Sequence, residues 1–244
     1  MRYAIISDIH ANLEALDAVR KEIGELCPDR IVCLGDIVGY GANPEECVSI
    51  VINEGWPTIL GNHDAAIIDP PQMEMMNTVA RAALEWTAAN LSDSSIKFLA
   101  SLPMTMSLNS NSIAAHGLPH KPEQWLYSDD PYAVLASFRA LPQKTLFMGH
   151  LHFAHSYKYA PSEEKLFLCQ LPESVDLSLE RNLVNVGSVG QPRDEDHRAC
   201  LVIYDDAVHT AVYHRVQYDT IEAAKKIVAA GLPNILAQRL FLGR

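Results

Sequence analysis

Short apolar runs of strand length recur along the chain, and polar residues follow each run at or just after its end. These runs are Tyr3–Ile6, Ile31–Leu34, Thr58–Leu60, Ile113–Ala115 and Thr145–Met148. After the first run, apolar residues recur at helical spacing, at Leu13, Leu16, Val19, Ile23 and Leu26. Strands that alternate with helices predict an α/β fold with parallel pairing and right-handed crossovers.

The later segments mix helices with further strands. The pattern predicts helical structure from about residue 72 to 100, with one apolar stripe at Val79, Ala82, Ala83, Trp86 and Ala89. A hairpin at residues 104–115, a loop at 119–130 and a helix at 132–140 follow. Further strands are expected near residues 155–159, 165–168, 183–186, 199–204 and 207–213, and two helices close the chain. This organisation predicts a single domain over residues 1–244, with insertions near 66–103 and 119–143.

The polar residues at the ends of the apolar runs are of the types that bind metals. Five short motifs contain them: Asp8-Ile9-His10, Gly35-Asp36, Gly61-Asn62-His63-Asp64, His116-Gly117 and Gly149-His150-Leu151-His152. Strand ends of an open α/β sheet meet at one edge, where ligands bind. Carboxylate, amide and imidazole groups without a thiolate suit manganese, iron or zinc. We therefore expect one metal-binding site at this edge.

In this order, the five motifs resemble those of the calcineurin-like metallophosphoesterase family. A later segment, Asn185–Arg193, is similar to a loop in the branch of small bacterial and archaeal phosphodiesterases. The resemblance implies two stacked mixed β-sheets flanked by helices, the αββα sandwich of that family. It also implies a hydrolase that acts on phosphoric esters.

The resemblance implies a centre of two divalent metal ions. One ion would be bound by Asp8, His10, Asp36 and His152, and the other by Asp36, Asn62, His116 and His150. Asp36 would bridge the two ions, since a carboxylate has two oxygens. Such a pair clamps the phosphoryl group and lowers the pKa of a bound water, so that a bridging hydroxide attacks phosphorus.

The same resemblance gives His63 and Asp64 catalytic roles without metal ligation. His63 would protonate the leaving oxygen or stabilise its charge. Asp64 would hold the His63 ring and raise its pKa, as a neighbouring carboxylate does. Asp64 also fits an alternative role as a negative charge at a helix N-terminus.

The substrate-binding candidates are Arg193, Tyr40, Trp125 and Tyr127. Protein phosphatases of this superfamily have Asp-Arg-Gly after the Gly-Asp motif, whereas this chain has Gly39-Tyr40-Gly41. Arg193 could replace the missing arginine, or it could form a surface pair with Asp194 or Glu195. The three aromatic residues could stack on a nucleobase, or they could serve ordinary packing. A substrate pocket is expected between the metal edge and the 119–130 loop.

Charge and composition narrow the range of partners. The net charge of −11 opposes binding of nucleic-acid polymers, whereas a small phosphorylated substrate is compatible with metal-supplied positive charge. No apolar run approaches the length of a membrane span, and the first one ends at Asp8 without a signal-peptide pattern. Five cysteines without a C-x-x-C pair suit a reducing compartment, which predicts a cytoplasmic protein. The sequence leaves homo-oligomer formation open.

Three functions fit these observations. The first is hydrolysis of small phosphodiesters or nucleotide phosphoanhydrides. The second is hydrolysis of dinucleoside polyphosphates, which requires the same motifs. The third is a non-catalytic scaffold on the same fold, which resembles a family member of the retromer sorting complex. That member lacks the histidine of the GNHD motif, so the presence of His63 argues for an enzyme.

Overall fold

Eleven β-strands form two mixed sheets in the computed structural model, which describes residues 1–244. The strands are β1 (Arg2–Ile6), β2 (Arg30–Cys33), β3 (Thr105–Asn109), β4 (Ser112–Ala115), β5 (Thr145–Met148), β6 (Ala154–Ala160), β7 (Lys165–Gln170), β8 (Ser174–Asp176), β9 (Arg181–Val186), β10 (Ala199–Asp205) and β11 (Thr210–Val216).

Nine α-helices connect and cover these strands. They are α1 (Leu13–Leu26), α2 (Pro44–Asn53), α3 (Asn62–Ile68), α4 (Pro70–Glu74), α5 (Thr78–Ala89), α6 (Asp93–Ala100), α7 (Pro131–Ala140), α8 (Thr220–Ala229) and α9 (Asn234–Leu242). A single 3-10 turn lies at Pro122–Gln124. None of the helices is both long and apolar enough to cross a membrane.

The first sheet has the strand order β2-β1-β10-β11-β8, and the second has the order β3-β4-β5-β9-β6-β7. In the first sheet, β1 pairs with β2 in parallel and with β10 in antiparallel. In the second, β4, β5 and β9 are parallel neighbours, and β6 is antiparallel to β9 and β7. Both sheets are therefore mixed, as the sequence predicts.

The alternation of side chains along β1 explains how the layers stack. Ile5 belongs to the apolar cluster that joins the two sheets, together with Phe147 and Val184 of the second sheet. Its neighbours Ala4 and Ile6 point to the opposite face and pack with α1, because successive strand residues face opposite sides. On the outer face of the second sheet, Phe138 of α7 packs against Leu146 and Met148. The prediction of two stacked sheets flanked by helices is confirmed.

Several predicted elements need correction. Residues 58–60 form only an isolated parallel bridge, from Thr58 to Cys33, because the chain turns into α3 at once. The segment 72–100 divides into helices, since Asn77 and Ser92 cap new ones with their side chains. The last hairpin turns at residues 206–209, so β11 begins at Thr210, three residues later than predicted.

The apolar stripe predicted for α5 is confirmed in part, since Ala83 is buried and Val79 and Trp86 are partly buried against the cluster with α8 and α9, whereas Ala89 is exposed. The buried residues of this helix are Ala80, Ala83, Leu84 and Thr87. Two separate clusters cover the helix, since Ala80 and Ala83 pack with α8 and α9, whereas Leu84 packs with the core beneath the first sheet. Single-domain organisation stays a prediction.

Candidate metal centre

Five of the seven predicted ligands lie in loops after strands and have a strained backbone conformation. Asp8, His10, Asp36, His150 and His152 all have positive φ angles, of 55°, 48°, 53°, 69° and 60°. A non-glycine residue in this left-handed region costs on the order of 1–3 kcal/mol, and such residues cluster at functional sites. Close packing of the loops also requires glycine, because a Cβ on Gly61 would collide with Oδ1 of Asp36.

Two groups of potential metal ligands meet at Asp36. Asp8, His10, Asp36 and His152 form one group, and Asp36, His116 and His150 form the other. Within each group the ligand atoms lie within 4.8 Å of one another, and every residue is buried. Asn62 joins the second group, because its Oδ1 lies 3.1 Å from Nε2 of His116. The structure thus brings together all seven predicted metal ligands in the predicted pairing.

Asp36 shares one oxygen between the two groups. Its Oδ1 accepts a hydrogen bond from the backbone N–H of His63 over 2.8 Å. Its Oδ2 lies 3.2 Å from Nε2 of His116 and 3.6 Å from Nε2 of His10. Only Oδ2 therefore faces both groups, and bridging of two ions by Asp36 stays a prediction.

Backbone carbonyls fix the orientation of three imidazoles. Nδ1 of His10, His116 and His152 lies 3.0, 2.8 and 2.7 Å from the carbonyl oxygens of Val38, Leu34 and Gln191. A carbonyl only accepts, so Nδ1 carries the hydrogen and a neutral ring has its lone pair at Nε2. This arrangement around metal-binding histidines sets the tautomer that coordinates.

The inward-facing atoms are acceptors that need a cation between them. Nε2 of His10 faces Nε2 of His152 over 3.0 Å, and the latter also lies 3.2 Å from Oδ1 of Asp8. Oδ1 of Asp8 and Nε2 of His150 are buried without any hydrogen-bond partner. Buried acceptors that face one another are costly unless a proton or metal ion lies among them. The donor set therefore fits divalent metal ions.

The ionisation of these groups reflects the same crowding. Burial alone would raise the pKa of Asp8 and Asp36, but the neighbouring imidazoles outweigh burial and hold both pKa values below the usual range. Burial would lower the pKa of His116, whereas the charge of Asp36 raises it to about 9. Burial lowers the pKa of His150 to about 3. Two buried carboxylates thus remain charged and attract positive charge to the site.

The chain was compared with known proteins, and a family model described as the calcineurin-like phosphoesterase superfamily domain matches residues 1–207. The chain belongs to this family. An uncharacterized protein of Methanocaldococcus jannaschii is 38% identical over 245 residues, which cover 99% of this chain and 98% of that protein.

Two solved structures extend the likeness of this calcineurin-like phosphoesterase over its full length. A metallophosphoesterase from Sphaerobacter thermophilus has a TM-score of 0.87 and 37% identity, with both chains covered completely. A hypothetical protein from Pyrococcus horikoshii OT3 has a TM-score of 0.80 and 20% identity, covering 100% of this chain and 98% of that one, and it shows the same fold. The fold of this phosphoesterase is therefore the predicted metallophosphoesterase sandwich.

In this calcineurin-like phosphoesterase, Asp64 forms no hydrogen bond with the ring of His63. Its Oδ1 accepts from the backbone N–H groups of Ile37 and Val38 over 3.0 and 3.2 Å, and its Oδ2 accepts from Gly61 over 3.2 Å. Asp64 thus ties the loop after β2 to the turn before α3. The predicted hydrogen-bonded support of the His63 ring by Asp64 is wrong, because the carboxylate binds three backbone donors and leaves Nδ1 of His63 without a partner.

His63 lies in a buried position beside the centre. Its Nδ1 has no hydrogen-bond partner, and its ring centroid lies 4.4 Å from that of Tyr40 and 4.8 Å from that of His10. Burial lowers the pKa of His63 to about 4, which is opposite to the predicted direction. Gly39 is required here, because a Cβ on it would collide with Nδ1 of His63.

The four predicted substrate-binding residues also lie at this centre. The guanidinium of Arg193 lies over the ring of Tyr40, 5.6 Å from its centroid. Arg193 donates to Oε1 of Gln191 and pairs with neither Asp194 nor Glu195, which pair with Arg215 and Arg244. The alternative of a surface ion pair for Arg193 is therefore wrong.

Trp125 and Tyr127 contact candidate ligands. The ring of Tyr127 stacks on His150 with centroids 4.1 Å apart, and Trp125 meets His116 edge-on at 6.0 Å. Tyr127 remains 46% exposed, so its other ring face is open. Base stacking by these two residues stays a prediction.

Sequence reasoning missed two contributors. Gln191 accepts from the His152 ring through its backbone and binds Arg193 through its side chain. Arg239 comes from α9, which packs on Tyr40 through Leu236 and Leu240, and it forms no salt bridge. Burial lowers the pKa of the Arg239 guanidinium, and the nearby charge of Arg193 lowers it further. No local motif marks Arg239, because only the folded chain brings α9 to the site.

Proposed function

We propose that this protein is a phosphodiesterase that uses two divalent metal ions, of manganese, iron or zinc, to hydrolyse small phosphodiesters or nucleotide phosphoanhydrides. One observation carries the proposal: imidazole lone pairs and carboxylate oxygens converge in two groups that share Oδ2 of Asp36. Two such ions, when bound, polarise the phosphoryl group and lower the pKa of a water ligand.

Residues of the chain would bind the two ions, bind the phosphate and stabilise the leaving group. Asp8, His10, Asp36 and His152 would hold one ion, and Asp36, Asn62, His116 and His150 the other. Arg193 has no carboxylate partner, so its guanidinium is available to bind a phosphate oxygen. His63 would donate a ring hydrogen to the leaving oxygen, which stabilises the charge that develops there. These roles need no covalent intermediate on the protein.

The test is hydrolysis of bis(p-nitrophenyl) phosphate by protein that has been stripped with a chelator. Activity should be absent after stripping and should return with Mn²⁺, Fe²⁺ or Zn²⁺, and titration should saturate near two ions per chain. Full activity in stripped protein, or none with any of the three metals, would contradict the proposal. If the protein binds metal ions but shows no activity with any of them, the scaffold function is favoured.

Hydrolysis of dinucleoside polyphosphates is a second candidate, favoured by the two arginines near Tyr40. Neither Arg193 nor Arg239 forms a salt bridge with a carboxylate, and a polyphosphate would supply several negative charges for both. The variant Arg239→Gln should then raise KM for a dinucleoside tetraphosphate several-fold more than KM for bis(p-nitrophenyl) phosphate. Equal KM changes would count against a polyphosphate substrate.

A further inference from the structure

A cavity of about 450 Å³ adjoins the candidate metal centre. It lies between Ser128–Asp129 of the loop after β4 and the hairpin of β6 and β7. Leu151, which lines the cavity, stands in sequence between the candidate ligands His150 and His152. Arg193 lines it too, and its backbone N–H donates to the carbonyl of His152 over 2.9 Å. The cavity and the centre therefore share a wall.

Apolar and polar side chains together line the cavity. Leu151, Phe153, Tyr157 and Leu168 supply apolar surface, which includes two aromatic rings. Ser128, Asp129 and Gln170 supply hydrogen-bonding groups. A volume of this size is typical of sites for small organic ligands, which combine apolar walls with a few polar groups. The lining suits a flat ring with polar edges better than it suits a phosphate or a bare sugar.

The charged residues that line the cavity predict how a ligand is oriented in it. Arg193 is the one arginine or lysine that lines it, and its guanidinium has no carboxylate partner. His155 lines it too, but burial lowers the pKa of its imidazole and so favours the uncharged ring. Asp129 lines the same cavity with a negative charge. A second phosphate inside the cavity would meet the carboxylate of Asp129, whereas an uncharged ring would not. The expected ligand thus has one phosphate at Arg193 and an uncharged organic group beyond it.

We propose that this cavity binds the organic substituent of a phosphodiester, a nucleobase or an aromatic ring of similar size, while its phosphate lies at Arg193 and the metal centre. The inference rests on the proposed phosphodiesterase function and names the part of the substrate that is selected. Under this proposal the base contacts the cavity residues of β6 and β7. It does not stack on Trp125 and Tyr127, which contact the candidate ligands His116 and His150.

The test is calorimetric binding of AMP and GMP to Mn²⁺-loaded protein, compared with binding of ribose 5-phosphate, which has no base. Contact with a base typically contributes enough for about tenfold tighter binding, and we expect at least one of the nucleotides to show it. The variant Leu168→Glu should abolish this preference. The matched control is Phe167→Glu on the same strand, because Phe167 and Leu168 are 50% and 48% exposed and only Leu168 lines the cavity.

The outcomes separate the cavity from the proposed activity. Equal affinity of the wild type for both nucleotides and ribose 5-phosphate would overturn the inference. Equal effects of Leu168→Glu and Phe167→Glu would overturn it too, as would a preference that is lost in Tyr127→Ala and kept in Leu168→Glu. A protein that prefers nucleotides through Leu168 and hydrolyses no diester would refute the phosphodiesterase function and leave the cavity assignment standing.

Discussion

The backbone N–H of His63 donates a hydrogen bond to Oδ1 of Asp36 over 2.8 Å. This bond joins two of the sequence motifs and turns the other oxygen, Oδ2, toward both groups of candidate ligands. It also places the His63 side chain beside the centre without any contact that would make it a ligand. The shared oxygen and the nearby imidazole therefore depend on one local contact.

The first prediction concerns the variant Asp36→Asn. If the amide oxygen keeps the bond to His63, the amide NH₂ replaces Oδ2 and faces His10 and His116, so a bridging anion becomes a donor. The protein should lose at least one metal ion, and activity should fall by more than the roughly 100-fold typical of outer-shell changes. Elemental analysis and hydrolysis of bis(p-nitrophenyl) phosphate measure both effects. The exposed Asp93→Asn on α6 is the control, and two fully occupied metal sites in Asp36→Asn would refute the bridge.

The second prediction concerns His63→Ala. The variant should keep both metal ions, because the backbone bond to Asp36 does not need the side chain. Turnover of a diester with a poor leaving group should fall by ~10²–10⁴-fold, the usual contribution of proton transfer or donation. Hydrolysis of a nitrophenyl ester should fall less, since its leaving oxygen needs little stabilisation. Equal losses on the two substrates, or loss of metal, would exclude this role for His63.

The third prediction distinguishes Asp64 from His63. In Asp64→Asn an NH₂ group would replace one carboxylate oxygen. Two donors would then face each other, because that oxygen now accepts a hydrogen bond from a backbone N–H. A buried backbone donor left without its partner should lower the free energy of unfolding by about 1–3 kcal/mol. Urea unfolding measures this change, with Asp93→Asn again as the control. The turnover rate of folded, metal-loaded Asp64→Asn should stay well above that of His63→Ala. Equal rates in the two variants would show that Asp64 has a catalytic role after all.

The fourth prediction concerns Arg193→Gln. Removal of the guanidinium should raise KM for small phosphodiesters about tenfold, in line with the loss of one charge-assisted hydrogen bond. Metal content should stay unchanged, because Arg193 contacts Gln191 and Tyr40 and is not among the ligands. The control is Arg198→Gln, whose guanidinium already pairs with Asp196. An unchanged KM in Arg193→Gln would remove this residue from substrate binding.

Local signals account for the elements that sequence predicts and for those it misses. Strand β5 is buried at every position and ends at Met148, directly before Gly149, so both its extent and its following ligands can be located from sequence. Strand β8 has only three residues, mostly exposed, and forms through pairing with β11. The buried face of α5 depends on what covers it, and α8 and α9 approach from far along the chain.

The sequence by itself determined the order of strands and ligands, because each candidate ligand follows an apolar run whose burial fixes its position at the sheet edge. The resemblance of its five motifs to those of the calcineurin-like family identified the family and the seven residues that meet at the centre. Only the tertiary structure decided which atoms face inward. The carbonyls that orient His10 and His152 and two of the three donors to Asp64 come from segments distant in sequence. Distant residues Arg215 and Arg244 also pair with Asp194 and Glu195, and Arg193 is left without a carboxylate partner. Hydrogen bonds and charges act through space, so no local pattern encodes these partners.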